Sequence, residues 1–159
     1  MKTRTTLAGL LLALALQPAA FAADPLPASI AADYPYLRSL FEDLHANPEL
    51  SMQEFRTSDR RAKELEKLGY TVTRGIGKTG LVGMLKNGAG PTLLIRADMD
   101  GLPVQEKTGL PYASKKTQVN LEGVEMPVMH ACGHDMHVTT LVGVARRMGA
   151  LKDQWRGTL

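Results

Sequence analysis

Most of the histidine and cysteine side chains of this chain, which bind transition metals well, lie in one short stretch, Met129–His137, with the sequence MHACGHDMH. Thiolate and imidazole groups suit zinc, nickel, cobalt or manganese-type ions, and a bound metal keeps a thiol deprotonated. The stretch therefore predicts a site for a divalent metal ion. It contains three of the four histidines, the only cysteine and a carboxylate: His130, His134, His137, Cys132 and Asp135.

The spacing of Cys132 and His134 limits how they can act together. Residues two apart direct their side chains to one side of an extended or looped backbone, whereas on a helix they point apart by roughly 200°. Gly133 between them permits the tight turn that this needs. Two ligands are too few, since catalytic zinc takes about three from the protein and structural zinc four. His137 and His130 could face the same pocket, although either histidine alone is more often a core or surface residue.

A second set of candidate residues follows an apolar run. Residues 92–97, TLLIRA, are bounded by turn signals and predict a strand buried on both faces of a largely parallel sheet. The run leads directly into Asp98 and Asp100, and ligands of open α/β sheets bind outside the carboxyl ends of strands. An ordinary acidic turn is the alternative, because Asp before Gly-x-Pro is common loop chemistry. Combined with the His/Cys cluster, the aspartate pair favours a metal site.

Alternating helix and strand patterns surround these residues. Apolar side chains at helical spacing predict helices over residues 29–45, 54–68 and 137–152, the last placing the His/Cys cluster in the loop before it. The middle helix is expected to end at Gly69 and to turn four side chains inward. Residues 70–76 and 80–85 are strand candidates, and 108–128 are either a hairpin or irregular. The four inward side chains are Phe55, Ala62, Leu65 and Leu68.

Composition places the chain among soluble globular proteins. The 159 residues match one ordinary domain, and 44% apolar with 22% charged residues is the balance of a folded chain. The net charge is only +3, basic residues alternate with acidic ones, and aromatic residues make up 5%. We therefore expect no nucleic-acid partner.

Residues 1–22 are typical of a secretory signal peptide. They combine a positive start, MKTR, an apolar run too short to span a bilayer, and a small-x-small site, AFA, before Ala23. A retained membrane anchor is the alternative. The residues that flank the apolar run, and the AFA site above all, favour cleavage of the segment, so no stable membrane insertion is expected. The mature protein is thus predicted to be periplasmic or secreted. After export, Cys132 is buried and inert, paired with another chain, or held as a metal thiolate.

Three stretches together resemble one enzyme family. HANPELSMQEFRTS, RADMDGLPVQEKTGLPYAS and MHACGHDMHVTTLVGVA follow in this order from about His45 to the C-terminus. They look like the signature blocks of the metal-dependent amidohydrolases that include hippuricases, N-acyl-amino-acid deacylases and indole-acetyl-amino-acid hydrolases, relatives of aminoacylase and the carboxypeptidase metallopeptidases. The resemblance implies an α/β fold, the N-terminal part of a largely parallel-sheet, zinc-peptidase-like catalytic domain. In the family, a smaller α+β domain inserted later often serves dimerisation, so a homodimer is the expectation for a full-length protein.

The resemblance also implies roles for individual residues. Cys132 and His134 match metal ligands, and one or two divalent ions, zinc, manganese, nickel or cobalt, are expected. Asp100 matches an active-site residue that orients a ligand histidine or the metal-bound water. Asp98 and Asp135 are expected only in the shell of residues around the metal ligands. The roles of two further residues of the cluster, His137 and His130, are left open between that shell and no part in the site.

The reaction implied is metal-dependent hydrolysis of the amide bond of N-acyl amino acids or small peptides. A metal polarises the carbonyl and lowers the pKa of a bound water, while a carboxylate takes and passes on its proton. In the family, this carboxylate is a general-base glutamate, and it follows the strand that begins at residues 157–159, as do further metal ligands. We therefore expect residues 23–159 to be the N-terminal portion of a truncated catalytic domain that alone binds metal weakly and hydrolyses nothing at an appreciable rate. An exported, non-catalytic metal- or redox-binding module is the alternative.

Overall fold

The computed structural model describes residues 26–159, so the predicted signal peptide, residues 1–22, lies outside the described residues. No helix within the described range is long and apolar enough to cross a membrane. The elements follow one another as α1 (Leu26–Ala46), α2 (Phe55–Lys67), β1 (Thr71–Ile76), β2 (Gly80–Met84), β3 (Lys86–Asn87), β4 (Thr117–Val119), β5 (Glu125–Pro127), α3 (His134–Ala150) and β6 (Gly157–Thr158).

The packing of α1 against α3 forms one hydrophobic core. The apolar stripe predicted on the first helix turns inward, with Leu40 and Leu44 at most 2% exposed. Opposite them lie Val138 and Val142 of α3, and Met99 completes the cluster. The helix ends at the predicted place, just before Asn47-Pro48, but it begins three residues earlier than predicted. This core fixes α3, and therefore the His/Cys cluster at its start.

A second core lies between α2 and the antiparallel β1–β2 hairpin. The hairpin itself confirms both predicted strands. Ala62 and Leu65 are buried as predicted, and Leu65 packs so closely on the hairpin that a Cβ at Gly83 would lie 2.7 Å from it. The prediction that Phe55 turns inward is wrong, since it is 58% exposed. Phe55 is the first residue of α2, and its ring meets Lys78 of the β1–β2 turn, with Nζ 6.0 Å from the centroid, beyond the end of the core.

Residues 92–97 do not form the buried strand that was predicted. Thr92 makes one isolated parallel bridge to Thr158, and the Leu93 N–H donates to the Thr158 carbonyl at 2.9 Å. Leu94 is 81% exposed, and a cleft of about 680 Å³ opens between this segment and the β1–β2 hairpin. The physical reason is that a buried strand needs neighbours on both sides, and no strand within residues 26–159 pairs with residues 94–97.

Helices and short strands are mixed along the chain, which confirms the α/β class, yet the ladders differ from the predicted parallel sheet. The three ladders, β1–β2, β3–β6 and β4–β5, are all antiparallel. Within the described range, parallel pairing is confined to two isolated bridges, Leu50 with Gly101 and Thr92 with Thr158. In residues 108–128, the β4–β5 ladder settles the open alternative in favour of a short hairpin within an irregular segment.

Candidate metal site

The first turn of α3 carries the predicted ligand cluster. The helix begins at His134, three residues before the predicted start. Gly133 precedes it with φ +77° and ψ 24°, the left-handed conformation that glycine adopts at least cost. The N–H groups of Met136 and His137 donate to the Gly133 carbonyl at 3.0 and 3.1 Å, which anchors the turn. Cys132 and His134 therefore flank a tight turn at a helix start, as their spacing predicted.

Three potential ligand atoms meet at this turn. One ligand atom from each of Asp98, His134 and His137 lies within 4.8 Å of the other two. The two histidines stand three residues apart on α3, so they share a helix face, and their ring centroids are 5.2 Å apart. Asp98 reaches the same place from the end of segment 92–97. A carboxylate and two imidazoles at this separation are a donor set suited to a divalent transition metal.

Asp100 contacts the ring of His134 directly. His134 Nδ1 lies 2.8 Å from Asp100 Oδ1 and 3.0 Å from the Asp100 carbonyl oxygen, so the Nδ1–H donates to both. This contact leaves Nε2 as the free lone pair of the ring. Carboxylates that hold a histidine in this way fix the tautomer and orientation of metal-ligating imidazoles. The orienting role of Asp100 that the family resemblance implies requires such a contact, and the role itself stays a prediction.

Cys132 lies in the turn before α3, outside the donor group of Asp98, His134 and His137. Its thiol is free and exposed, so the buried and inert alternative for this residue is wrong. Asp98 is also engaged by a cation, because the Arg96 guanidinium donates to its Oδ1. A metal at the donor group therefore competes with Arg96 for this carboxylate.

Asp135 faces the protein interior. It is 2% exposed, and its Oδ2 lies 2.6 Å from Nδ1 of His45, a residue of α1. The other ring nitrogen of His45, Nε2, lies 3.0 Å from Glu106 Oε1. Sequence reasoning assigned no role to His45 or Glu106, although each belongs to one of the three signature blocks. Their position in those blocks was the available signal, but no local spacing links residues so far apart in the chain.

His130 lies buried behind the turn. It is 5% exposed, and neither ring nitrogen has a hydrogen-bond partner among the described residues. Burial lowers the pKa of His130, with nearby His45 and His134 acting in the same direction and Asp135 opposing them. The structure does not bring the His130 ring into the donor group.

The sequence of this chain is similar to those of known hydrolases and peptidases. Residues 94–159 match the model of peptidase family M20/M25/M40. Hippurate hydrolase of Campylobacter jejuni is 46% identical over 108 residues, which cover 67% of this chain and 26% of the relative. N-acetyl-L-cysteine deacetylase of Bacillus subtilis is 39% identical over 117 residues, 73% of this chain and 26% of that protein.

A solved structure shows the same fold. The YXEP protein of Bacillus subtilis, a dinuclear metal binding peptidase from the M20 family, superposes with a TM-score of 0.70 at 36% identity. The match covers 80% of this chain and 34% of that one. The described residues thus have the fold of a part of an M20 catalytic domain, and the chain spans about a quarter to a third of the length of these relatives.

Proposed function

Because the chain carries a segment of peptidase family M20/M25/M40 over residues 94–159, we propose that the protein hydrolyses the amide bond of N-acyl amino acids or small peptides with one or two divalent metal ions. The observation that carries the proposal is the oriented donor set at the start of α3, where Asp100 holds His134 beside Asp98 and His137. The names of the relatives, hippurate hydrolase and N-acetyl-L-cysteine deacetylase, support an N-acyl amino acid as substrate.

The residues present fit a divalent ion. His134 offers Nε2 in a fixed orientation, and the exposed thiol of Cys132 is free to join it as the second ligand that the family resemblance implies. Asp98 and His137 stand close enough to add an oxygen and a nitrogen donor. This mixture of sulfur, nitrogen and oxygen suits zinc, manganese, nickel or cobalt, and availability as much as ligand type decides between them.

The side chains divide the chemistry between them. A bound ion supplies Lewis-acid polarisation of the scissile carbonyl and a water of lowered pKa. Asp100 keeps the proton of His134 on Nδ1, so that Nε2 stays unprotonated and aimed at the donor group. Arg96 balances the charge of Asp98 and limits how much negative charge the site presents before a cation arrives. The protein part of the mechanism is therefore orientation of ligands, with the carboxylate–imidazole contact as its main device.

The experiment that tests the proposal replaces Cys132 and His134 one at a time in the full-length protein. Cys132→Ser and His134→Ala are each expected to lower both bound metal, measured by atomic emission, and hydrolysis of an N-acyl amino acid. Met136→Ala serves as the matched control, because Met136 lies in the same turn and its side chain is 49% exposed. Hydrolysis that survives after the metal is lost would contradict the assignment of the substituted residue.

Metal binding without any hydrolysis would favour the alternative, a non-catalytic metal- or redox-binding module built on the same Cys/His cluster. The ligand variants distinguish the two functions, because substitution of a ligand in a hydrolase lowers both turnover and bound metal, whereas a non-catalytic module has no turnover to lose. The assay compares a series of N-acyl amino acids, since the acyl group and the amino acid are both open.

We also propose that the protein is exported and acts in the periplasm or outside the cell as a homodimer. The tripartite pattern of residues 1–22 supports export, and the inserted domain typical of the family supports the dimer. The intact mass of the natural product tests both the predicted cut before Ala23 and the length of the mature chain. A retained leader in that mass would overturn the predicted cut and favour the retained membrane anchor, and a monomer in sedimentation would overturn the dimer.

A further inference from the structure

Three signature blocks that lie far apart in the chain meet in one buried cluster beside the candidate metal site. His45 opens the first block, Glu106 belongs to the second and Asp135 to the third. The His45 ring stands between the two carboxylates, with Nδ1 2.6 Å from Asp135 Oδ2 and Nε2 3.0 Å from Glu106 Oε1. The side chains of the three residues are 9%, 0% and 2% exposed, so water does not weaken these contacts.

The contacts determine what His45 contributes. Both of its ring nitrogens face carboxylate oxygens, which only accept hydrogen bonds, so both nitrogens act as N–H donors. Each of these contacts is a charge-assisted hydrogen bond and is directional. The rings of Phe41 and Tyr112 flank His45 with centroids 5.6 and 5.3 Å away, which closes off other rotamers. The His45 ring is therefore a rigid connector and not a mobile side chain.

Glu106 is itself held in place from a second direction. Its Oε1 also accepts a hydrogen bond from the Thr108 hydroxyl, and its Oε2 accepts the backbone N–H of Ser114 at 2.5 Å. The Ser114 hydroxyl in turn donates to the Val128 carbonyl at 2.7 Å, just before the cluster that contains Cys132. The carboxylate that anchors His45 is thus part of the irregular segment that leads into the ligand turn.

At the other end of the chain of contacts, Asp135 directly follows His134. The two neighbours are held from opposite sides, His134 by Asp100 from the end of segment 92–97 and Asp135 by His45 from α1. Asp135 Oδ1 also accepts the N–H of Met136 at 2.8 Å, which ties the carboxylate to the first turn of α3. Rotation of this turn about the helix axis would break both contacts at once.

From this geometry we propose that His45 is a positioning residue for the metal site: anchored by Glu106, it holds Asp135 and so fixes the direction in which the first turn of α3 presents His134 and the position of the preceding turn, which carries Cys132. The inference rests on the proposed function, because it assumes that this turn binds a metal. It goes further in assigning a role to two residues, His45 and Glu106, that do not themselves reach the donor group.

The test needs a control that breaks a partly buried ionic contact between the same two helices away from the site. Asp33 of α1 provides it, because it is 8% exposed and pairs with Arg146 and Arg147 near the far end of α3. Asp33→Asn therefore loosens the α1–α3 pair without touching the ligand turn. His45→Gln keeps one amide donor, and His45→Leu removes all donors at similar volume.

The experiment measures binding of cobalt(II) alone to the full-length protein, by its thiolate absorption band, under conditions where each variant is fully folded by circular dichroism. Relative to the parent protein, His45→Leu is expected to weaken cobalt binding by roughly 10- to 100-fold, the size typical of groups that orient ligands. His45→Gln and Glu106→Gln are expected to weaken it less, and both should shift the absorption band. Asp33→Asn should leave affinity and band unchanged.

The outcomes separate this inference from the proposed function. If the parent protein binds cobalt and both His45→Gln and Glu106→Gln keep its affinity and band, His45 has only a structural role and the inference is wrong. If Asp33→Asn weakens cobalt binding as much as His45→Gln, the effect is general loosening and the inference is equally wrong. A parent protein that binds no cobalt contradicts the proposed function itself. Should His45→Leu fail to fold, the two milder variants still decide the question.

Discussion

The two ends of α3 are both held by buried or half-buried ionic contacts, but the groups used are different. At the N-terminal end the groups that pair with carboxylates are imidazoles, with His45 between Glu106 and Asp135 and His134 against Asp100. At the C-terminal end they are guanidinium groups, with Arg146 and Arg147 paired to Asp33. Arginine stays charged at every working pH, whereas histidine changes its charge near neutrality and offers a lone pair for metal.

The residues around the two ends of α3 also differ in their chemistry. Around the C-terminal end the partners complete the packing, since the Tyr70 hydroxyl donates to the Ala145 carbonyl at 3.2 Å and the Arg146 guanidinium lies 4.7 Å from the centre of the Tyr36 ring. Around the N-terminal end a free thiol and two imidazoles remain available for a ligand. The contacts at the C-terminal end of α3 therefore complete its packing, whereas those at the N-terminal end orient the side chains of the candidate metal site.

The largest expected effect comes from the apolar core between the two ends. Leu44 is 1% exposed and packs in the α1–α3 cluster, so Leu44→Ala removes buried methyl groups and leaves a cavity. We expect the free energy of unfolding to fall by about 2–5 kcal/mol, measured by urea denaturation. The loss should be the same with and without metal. A Leu44→Ala protein that loses metal affinity while fully folded would show that the ends are not separable in this way.

The next effect concerns the oriented histidine. Asp100→Ala removes the carboxylate that holds His134 Nδ1, so that only the backbone carbonyl oxygen of residue 100, 3.0 Å away, still accepts from the ring and holds it less firmly. We expect metal affinity to fall by about 10- to 100-fold with a small change in stability. Isothermal titration with zinc measures the affinity. Asp153→Ala, an exposed aspartate beyond the C-terminal end of α3, is the control and should change neither quantity. If Asp100→Ala bound zinc as tightly as the parent protein, Asp100 would not orient His134.

How far the sequence predicted this arrangement depends on how local each feature is. The helices, the β1–β2 strands and the ligand turn follow from patterns within a few residues, and they lie where predicted to within a few positions. Segment 92–97 was predicted wrongly because strand formation depends on partners distant in the chain. The link between His45 and Asp135 spans 90 residues, so spacing could not indicate it.

The pH dependence of stability should have opposite signs at the two ends. Hydrogen bonding from Arg146, with the charges of both arginines, lowers the pKa of Asp33 from 3.8 although burial opposes this. Its stabilisation is therefore present above pH 3.8 and lost as the pH falls through the lowered pKa. Burial disfavours the charged form of His45, but its hydrogen bonds to Glu106 and Asp135 outweigh burial and raise its pKa from 6.5. Its stabilisation is present below pH 6.5 and lost as the pH rises through the raised pKa.

Urea denaturation at a series of pH values checks this contrast in the metal-free protein. Asp33→Asn should flatten the acid side of the stability profile and leave the neutral side unchanged. His45→Gln should flatten the side above pH 6.5 and leave the acid side unchanged. The contrast fails if one substitution flattens both sides, because that would mean that the two ends titrate as one unit.

The smallest expected effect compares one substitution, glycine to alanine, at the two ends of α3. Gly133 has φ +77° and open space where an alanine Cβ would stand, so Gly133→Ala is strained by backbone conformation alone and should cost about 1 kcal/mol. Gly149 lies in the last turn, and a Cβ there would meet the Leu68 carbonyl at an ordinary 3.8 Å. Gly149→Ala should therefore stabilise the protein by about 0.5 kcal/mol through helix propensity. Thermal unfolding measures both. Gly133→Asn, which tolerates the left-handed conformation better, should recover part of the loss. If Gly133→Ala proved neutral, the backbone between Cys132 and His134 would not be held in the left-handed conformation.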